Sequence, residues 1–224
     1  CEPDQVLVIS DSAEELGFIR EEAIQEGAEK KLKIDGHTIH FESPEDQGRD
    51  KANTKLLLSK MIDFGLDLNA TDRTQALNEI HHLMKGIMKG RVMFVRFFIL
   101  GPAHSDFSVP CLQITDSAYV CHSLDLLYRQ GYNEFVRLGS SANFSKFVHS
   151  QGELEIGITG AVTKNIKLRR IYIDLDGETV FSINTQYGGN SMGLKKLALR
   201  FAIQRADREG WLAEHMFLMG VHGP

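Results

Sequence analysis

The 224-residue chain is short of several things, and each shortage closes off a class of protein. Its three cysteines, Cys1, Cys111 and Cys121, are too few and too scattered for a disulfide framework, and no CxxC pair is present to hold zinc or cycle as a dithiol. An odd, sparse set predicts structural thiols in a reducing compartment, the cytoplasm. Basic charge is not in excess. With 25 Lys and Arg against 30 Asp and Glu the net charge is −5, and no basic stripe is interleaved with aromatics, which argues against a nucleic-acid partner. No apolar run reaches the roughly 20 residues of a membrane span. The longest, Val92 to Leu100, is broken by Arg96 and reads as a buried strand. A secretory leader is not expected in the short, acidic N-terminus CEPDQVLVIS, and membrane association is not expected either. Internal repeats and low-complexity tracts are also missing.

What is present is an apolar content of 42%, ample for a core, arranged in helices and strands that alternate irregularly. Ser12 to Lys31 reads as a helix opened by a Ser12–Glu15 capping box, with Leu16, Ile19, Ala23 and Ile24 as its apolar stripe. LKIDGHTIHF predicts a hairpin with a type I′ turn at Asp35-Gly36. KLLLSKMI is strand-like. Asp72 to Lys89 predicts a helix capped by Asp72, and adjacent His81 and His82 diverge too far around it to chelate one metal. RVMFVRFFIL predicts an interior strand. A second apolar segment, CLQITDSAYV, leads into a helix whose N-cap is either Asp116 or Ser117. SANFSKFVHSQG reads as a short helix, and ELEIGITGAVTKN fits no single element. IKLRRIYIDLDGETVFSIN predicts two strands joined by a tight turn. LALRFAIQRADREG predicts a helix ending at Gly210, before a closing strand, WLAEHMFLMGV. Hairpins among alternating helices and strands predict an α/β fold: a mixed β-sheet with flanking helices, not a clean doubly wound one. The Cys start and the abrupt HMFLMGVHGP end suggest a piece of a longer protein, residues 1–224 forming one domain.

Chemistry concentrates in Gln186 to Lys196, QYGGNSMGLKK, between a predicted strand and a predicted helix. A Gly-Gly pair there lets backbone N–H groups approach an anion closely, and Lys195 and Lys196 add positive charge. The stretch is not a Walker A loop. Gly188 and Gly193 have the right separation, but Leu194 intervenes before Lys195, and Lys196 stands where a hydroxyl residue belongs. Gly-Gly-Asn is equally an ordinary turn, and a lysine pair at a helix start an ordinary solvated face. Arg49, in the polar loop ESPEDQGRDKANT, is either a surface charge or a bidentate carboxylate clamp. His215, in an apolar segment, is either a core residue or a ligand.

YGGNS, then KK, ALR and EGWLAEHM, occur in the same order in a known family, as do MKGRVMFV, the loop from Gly101 to Ser108 and TDSAYV earlier in the chain. The sequence thereby resembles the N-terminal domain of phosphoenolpyruvate carboxykinase of the GTP-dependent class. The resemblance implies conversion of oxaloacetate and GTP to phosphoenolpyruvate, GDP and carbon dioxide in gluconeogenesis, with manganese in the site and a second divalent cation, Mg2+ or Mn2+, on the nucleotide. It implies Lys196 and His215 as metal ligands, with Lys195 the alternative for the first. It also implies Arg49, Tyr187, Gly188 and Gly189 as contacts to oxaloacetate or phosphoenolpyruvate. The family's P-loop with its reactive cysteine, an aspartate ligand and the guanine pocket belong to a following nucleotide domain, so no catalytic nucleophile is expected in this chain, and alone it is expected to be inactive. A lysine binds metal only as the neutral amine, a form that burial and a neighbouring cation favour. Two rival readings stay open: a non-enzymatic phosphate-binding α/β module, and a carboxykinase using ATP or pyrophosphate as donor.

Overall fold

VMFVRFFIL has the β-branched and aromatic composition that suits a pleated, largely buried surface, and it forms the longest described strand. The computed structural model describes residues 1–41, 50, 52–59, 69–105, 108–139, 143–157, 160–186, 203–204 and 206–210. In chain order the elements are β1 (Gln5–Ile9), α1 (Ala13–Gln25), β2 (Lys30–Lys31), β3 (Thr38–Ile39), β4 (Thr54–Leu58), β5 (Ala70–Asp72), α2 (Arg73–Met84), β6 (Val92–Leu100) and β7 (Val109–Thr115). There follow α3 (Ala118–Leu127), β8 (Arg129–Gln130), α4 (Tyr132–Leu138), β9 (Ser145–Ser150), β10 (Leu154–Ile156), β11 (Ala161–Thr163), β12 (Arg170–Asp174) and β13 (Thr179–Ile183).

Among the described residues nine strands form one sheet in the order β1-β6-β7-β9-β13-β12-β4-β5, with β8 also pairing β6. The pairs β1–β6, β7–β9, β9–β13, β12–β4 and β4–β5 are parallel, whereas β6–β7, β6–β8 and β12–β13 are antiparallel. This is the mixed sheet predicted. Register sorts the core onto two faces. Phe94, Phe98, Cys111, Phe147 and Val180 share one face, covered by α1 and α3 through Ile19, Ala23, Ala118, Cys121 and Leu124. Leu57, Tyr172, Phe181 and Ile183 share the other, where Ala76 and Ile80 of α2 pack. Arg96, the one interruption in the apolar run, is 2% exposed. Its guanidinium donates to the Cys121 carbonyl at 2.8 Å and lies 3.2 Å from Asp125 and 3.4 Å from Asp11. Neutralised in this way, a charge is tolerable in the interior.

Both expected helix caps are present: Ser12 accepts from the Glu15 N–H and Asp72 from that of Gln75. Of the two cap candidates for α3, Ser117 serves, accepting from the Val120 N–H. The first two helices are shorter than predicted. Chain reversals at Gly27 (φ 74°) and Gly86 (φ 67°) end them, a conformation that glycine adopts without strain. Within SANFSKFVHSQG, Ser145–Ser150 form a strand, β9, and not a helix. Its apolar residues satisfy a helical spacing, but parallel partners on both sides, β7 and β13, take its backbone hydrogen bonds. The turn at Asp35-Gly36 is not type I′, because only Gly36 has positive φ; six residues separate β2 from β3, and His37 N–H closes the turn on the Ile34 carbonyl. Within ELEIGITGAVTKN, Leu154–Ile156 and Ala161–Thr163 pair antiparallel as β10 and β11. Residues 203–204 and 206–209 are helical, and Gly210 follows with φ 75°, as expected of a terminating glycine. The predicted closing strand lies outside the described residues.

Gly131, between β8 and α4, abuts the backbone of β6: a Cβ there would stand 2.6 Å from the Phe98 nitrogen and 2.8 Å from the Phe97 carbonyl carbon. Backbone cannot yield as a side chain can, so Gly131→Ala should lower unfolding free energy by about 1–3 kcal/mol. Urea denaturation checks this; an unchanged midpoint would show that β6 and β8 can separate at no cost.

Candidate functional site

Parallel pairing brings the C-terminal ends of β7, β9 and β13 to one edge of the sheet. Antiparallel pairing sets Arg170, the first residue of β12, beside Ile183, the last of β13, and parallel pairing sets Thr54, the first of β4, beside Ile171. The segments that run toward Tyr187 and away from Arg49 therefore meet at that edge. In open α/β sheets the crevice beyond such strand ends is where ligands bind.

The edge is lined with buried polar groups that satisfy one another. His149, 1% exposed, lies with Nδ1 2.7 Å from the Thr115 hydroxyl and Nε2 2.7 Å from the Thr185 carbonyl. A carbonyl only accepts, so Nε2 carries a proton; the Thr115 oxygen accepts from the Ser117 N–H at 3.1 Å, leaving its own hydrogen for Nδ1. Beside it, Asp116 is 2% exposed and accepts from the Ser150 hydroxyl at 2.6 Å and the Gln151 N–H at 3.0 Å, with the Arg91 guanidinium 3.0 Å away.

Three successive residues after β13 are each held by a different element. Asn184, in the left-handed region at φ 55°, donates to the Leu168 carbonyl at 3.3 Å. Its side-chain oxygen sits against Gly152, itself at φ 69°, where a Cβ would overlap it. Thr185 is gripped through its carbonyl by His149, and Gln186 donates to the Ala161 carbonyl at 2.6 Å. On the other approach, Asp50 accepts from Arg169 Nε at 2.7 Å and from the Asn53 side chain at 2.8 Å, while Thr54 donates to the Asp50 carbonyl at 2.6 Å.

The predicted substrate contacts Arg49, Tyr187, Gly188 and Gly189, and the predicted metal ligands Lys196 and His215 with the alternative Lys195, lie outside the described residues. What is described is their immediate neighbours, Asp50 and Gln186, anchored at one edge. Among the described residues no group of three or more His, Cys, Asp and Glu side chains could hold a metal ion. His81 and His82 are exposed on α2. Cys111 and Cys121 are buried and free; burial pushes the Cys121 thiol up to about 12 and that of Cys111 well above its usual value, so neither is a nucleophile at neutral pH. No helix among the described residues is long and apolar enough to cross a membrane. Sequence reasoning passed over His149 and Thr115 and considered Asp116 only as a helix cap. The available signal was polar residues in otherwise apolar strands, where each buried one needs a partner.

The comparisons with known proteins agree with this architecture. The family model described as the phosphoenolpyruvate carboxykinase N-terminal domain matches residues 1–207. The chain belongs to that family. Phosphoenolpyruvate carboxykinase (GTP) of Thermococcus sibiricus is 55% identical over 222 residues, covering 99% of this chain and 35% of the relative. Its counterpart from Pyrococcus abyssi is 57% identical with the same coverage, and that from Chlamydia caviae is 34% identical over 99% of this chain and 38% of the relative. The chain thus spans about a third of the length of the curated relatives it matches.

Burial raises the Asp50 pKa, but hydrogen bonds from Asn53 and Arg169 and the Arg169 charge outweigh it and hold the carboxyl below its ordinary 3.8. A depressed folded-state value means the stabilisation is complete above the unfolded pKa and is lost as pH falls through the folded one. Asp50→Asn, which leaves a nearly buried arginine without its counter-charge, should cost about 3 kcal/mol at neutral pH. In urea titrations the gap from wild type should begin to narrow as the pH falls below 3.8 and close only below the lower folded-state value. A gap independent of pH would mean that the ion pair contributes nothing.

Proposed function

We propose that this chain is the N-terminal, substrate-holding domain of a cytoplasmic GTP-dependent phosphoenolpyruvate carboxykinase, which forms phosphoenolpyruvate, GDP and carbon dioxide from oxaloacetate and GTP. The observation that carries this reading is the family match over residues 1–207, together with the anchoring of the neighbours of Arg49 and Tyr187 at one sheet edge. Residues 1–224 form one domain in this reading, and a nucleotide-binding domain follows, consistent with coverage of a third of each relative.

In this reading the Lys196 amine and the His215 imidazole would hold manganese, a hard cation whose remaining donors would be the oxygens it prefers, from water and substrate. Manganese, when bound, supplies Lewis-acid stabilisation of the negative charge that builds on the substrate oxygen as carbon dioxide leaves. A second divalent cation accompanies the nucleotide. Arg49 grips the substrate carboxylate with its planar fork, and Tyr187 presents the electropositive edge of its ring to that group. Gly188 and Gly189, without side chains, allow backbone N–H groups to reach the same oxygens. Lys195 beside Lys196 keeps the ligating amine in its neutral form by repulsion. The substrate is thereby fixed for transfer of the γ-phosphoryl group, where positioning and charge neutralisation lower most of the barrier.

In the full-length enzyme, Lys196→Ala and His215→Ala should each reduce manganese-supported turnover by about 100-fold. Each should also weaken manganese-dependent binding of oxalate, an enolate mimic, while thermal unfolding stays as in wild type. Full activity in either variant would remove that residue from the ligand set. Phosphate binding that needs no metal, with no turnover, would favour the anion-binding module instead, and comparison of GTP, ATP and pyrophosphate identifies the donor.

A further inference from the structure

We propose that Asp35, at the tip of the β2–β3 hairpin, is a site of spontaneous covalent modification: its carboxyl is captured by the Gly36 nitrogen to form a succinimide and then isoaspartate. The inference is independent of the reading of this chain as a substrate-holding domain, because it uses no residue of that site.

The chain contains two Asp-Gly pairs, Asp35-Gly36 and Asp176-Gly177, and the fold treats them differently. A glycine nitrogen has no Cβ beside it to hinder attack, so both pairs are chemically competent. At the first, Asp35, Gly36 and His37 are exposed and Ile34 is 63% exposed, so water reaches the turn. Gly36 has φ 77°, and a Cβ there would meet nothing within 4 Å. Among the described residues neither the Asp35 carboxyl nor the Gly36 N–H has a hydrogen-bond partner; the bond that closes the turn runs from the His37 N–H to the Ile34 carbonyl at 3.1 Å. The His37 ring favours the reaction further. Its Nδ1 lies 3.1 Å from the Asp35 carbonyl oxygen. A carbonyl only accepts, so Nδ1 donates, and the bond draws electron density out of the Asp35–Gly36 amide and makes its N–H easier to lose. The second pair is guarded. The Gly177 N–H donates to Asp174 Oδ1 at 3.1 Å, and the Asp176 carboxylate accepts from the Ser59 hydroxyl at 2.5 Å. A Cβ on Gly177 would stand 2.4 Å from Asp174 Oδ2, so the residue is wedged against the Arg73–Asp174 ion pair.

The step balances with water as the only other reactant. The Gly36 nitrogen attacks the carbon of the protonated Asp35 carboxyl: a C–N bond forms, a C–O bond breaks, and the amide proton leaves with the carboxyl hydroxyl as water. Hydrolysis then opens the cyclic imide at either carbonyl. One opening restores aspartate; the other gives isoaspartate, in which the main chain runs through the former side chain. The product has an unchanged mass, an added main-chain carbon between Ile34 and His37, and a free carboxylate where the Asp35 carbonyl had accepted from His37. β2 and β3 are two residues each, so little ladder stands behind the His37–Ile34 closure to resist the change.

The test is peptide mapping of the full-length protein after incubation at mildly acidic pH. Isoaspartate is located by its chromatographic shift at unchanged mass and by enzymatic methylation of its free carboxylate. A hydrogen bond that must break before a group can react slows it about fivefold, and Asp176-Gly177 has two, so Asp35 should convert about tenfold or more faster than Asp176. In guanidinium chloride, with the fold gone, the two sites should convert within about twofold of each other. His37→Ala should slow conversion at Asp35 about threefold in the folded protein and leave Asp176 as it was. Equal rates at the two sites in the folded protein overturn the proposal. So does a difference that persists in guanidinium chloride, which would trace it to the flanking sequence and not to the turn. An Asp35 rate that His37→Ala leaves unchanged or raises overturns it as well, because the polarised amide is then not the reacting one.

Discussion

A buried polar group without a partner costs more than most single contacts contribute, and at the ends of β7, β9 and β13 the polar groups have one another as partners. Thr115, Asp116, His149, Ser150 and Thr185 are all nearly inaccessible, and each bond among them ties one strand end to the next. The rest of the edge follows from that closure. Asn184 can occupy its left-handed conformation because Gly152 leaves room for it, and Gly152 is held by the Ser150 hydroxyl that also serves Asp116. An apolar edge would be easier to build but would leave the outgoing chain free to choose its direction. The polar one specifies it.

The same logic operates on the other approach. Asp50 is fixed through both carboxylate oxygens and through its carbonyl, so the residue after Arg49 has little freedom. Arg169, which holds it, lies immediately before β12, and β12 pairs with β13. A single hairpin thus connects the two anchored approaches, and a shift in its register would move both together.

Much of the fold was legible because local chemistry and tertiary structure agree. Ser12 and Asp72 announce their helices through the groups they cap, and the alternation in RRIYIDLDGETVFSI matches the faces that β12 and β13 present. Errors occurred where the local pattern was degenerate. In SANFSKFVHSQG the spacing of Phe144, Phe147 and Val148 fits a helix as well as a strand, and only the two neighbouring parallel strands, distant in sequence, decide the matter. The Asp-Gly pair signals a turn, but its type depends on the length of the flanking strands, and β2 and β3 are two residues each. For the site, the glycine pair, the lysines and the tyrosine stand out by type and spacing, whereas His149 does not. A histidine inside a strand has no local signature, and its significance comes from which carbonyl the fold sets beside it.

The strand order also dictates how this domain is assembled. Among the described residues β1, β6, β7 and β9 form one run of neighbours and β4 with β5 another, and the pair β13–β12 bridges them. During synthesis the two runs emerge first and have no means of recognising each other. The late hairpin joins them, sealing β9 on one side and β4 on the other. Until it leaves the ribosome, both of those strands present open hydrogen-bonding edges, so the nascent chain is most vulnerable to mispairing in that interval. Closure of the sheet and alignment of the two approaches to the cleft are then one event.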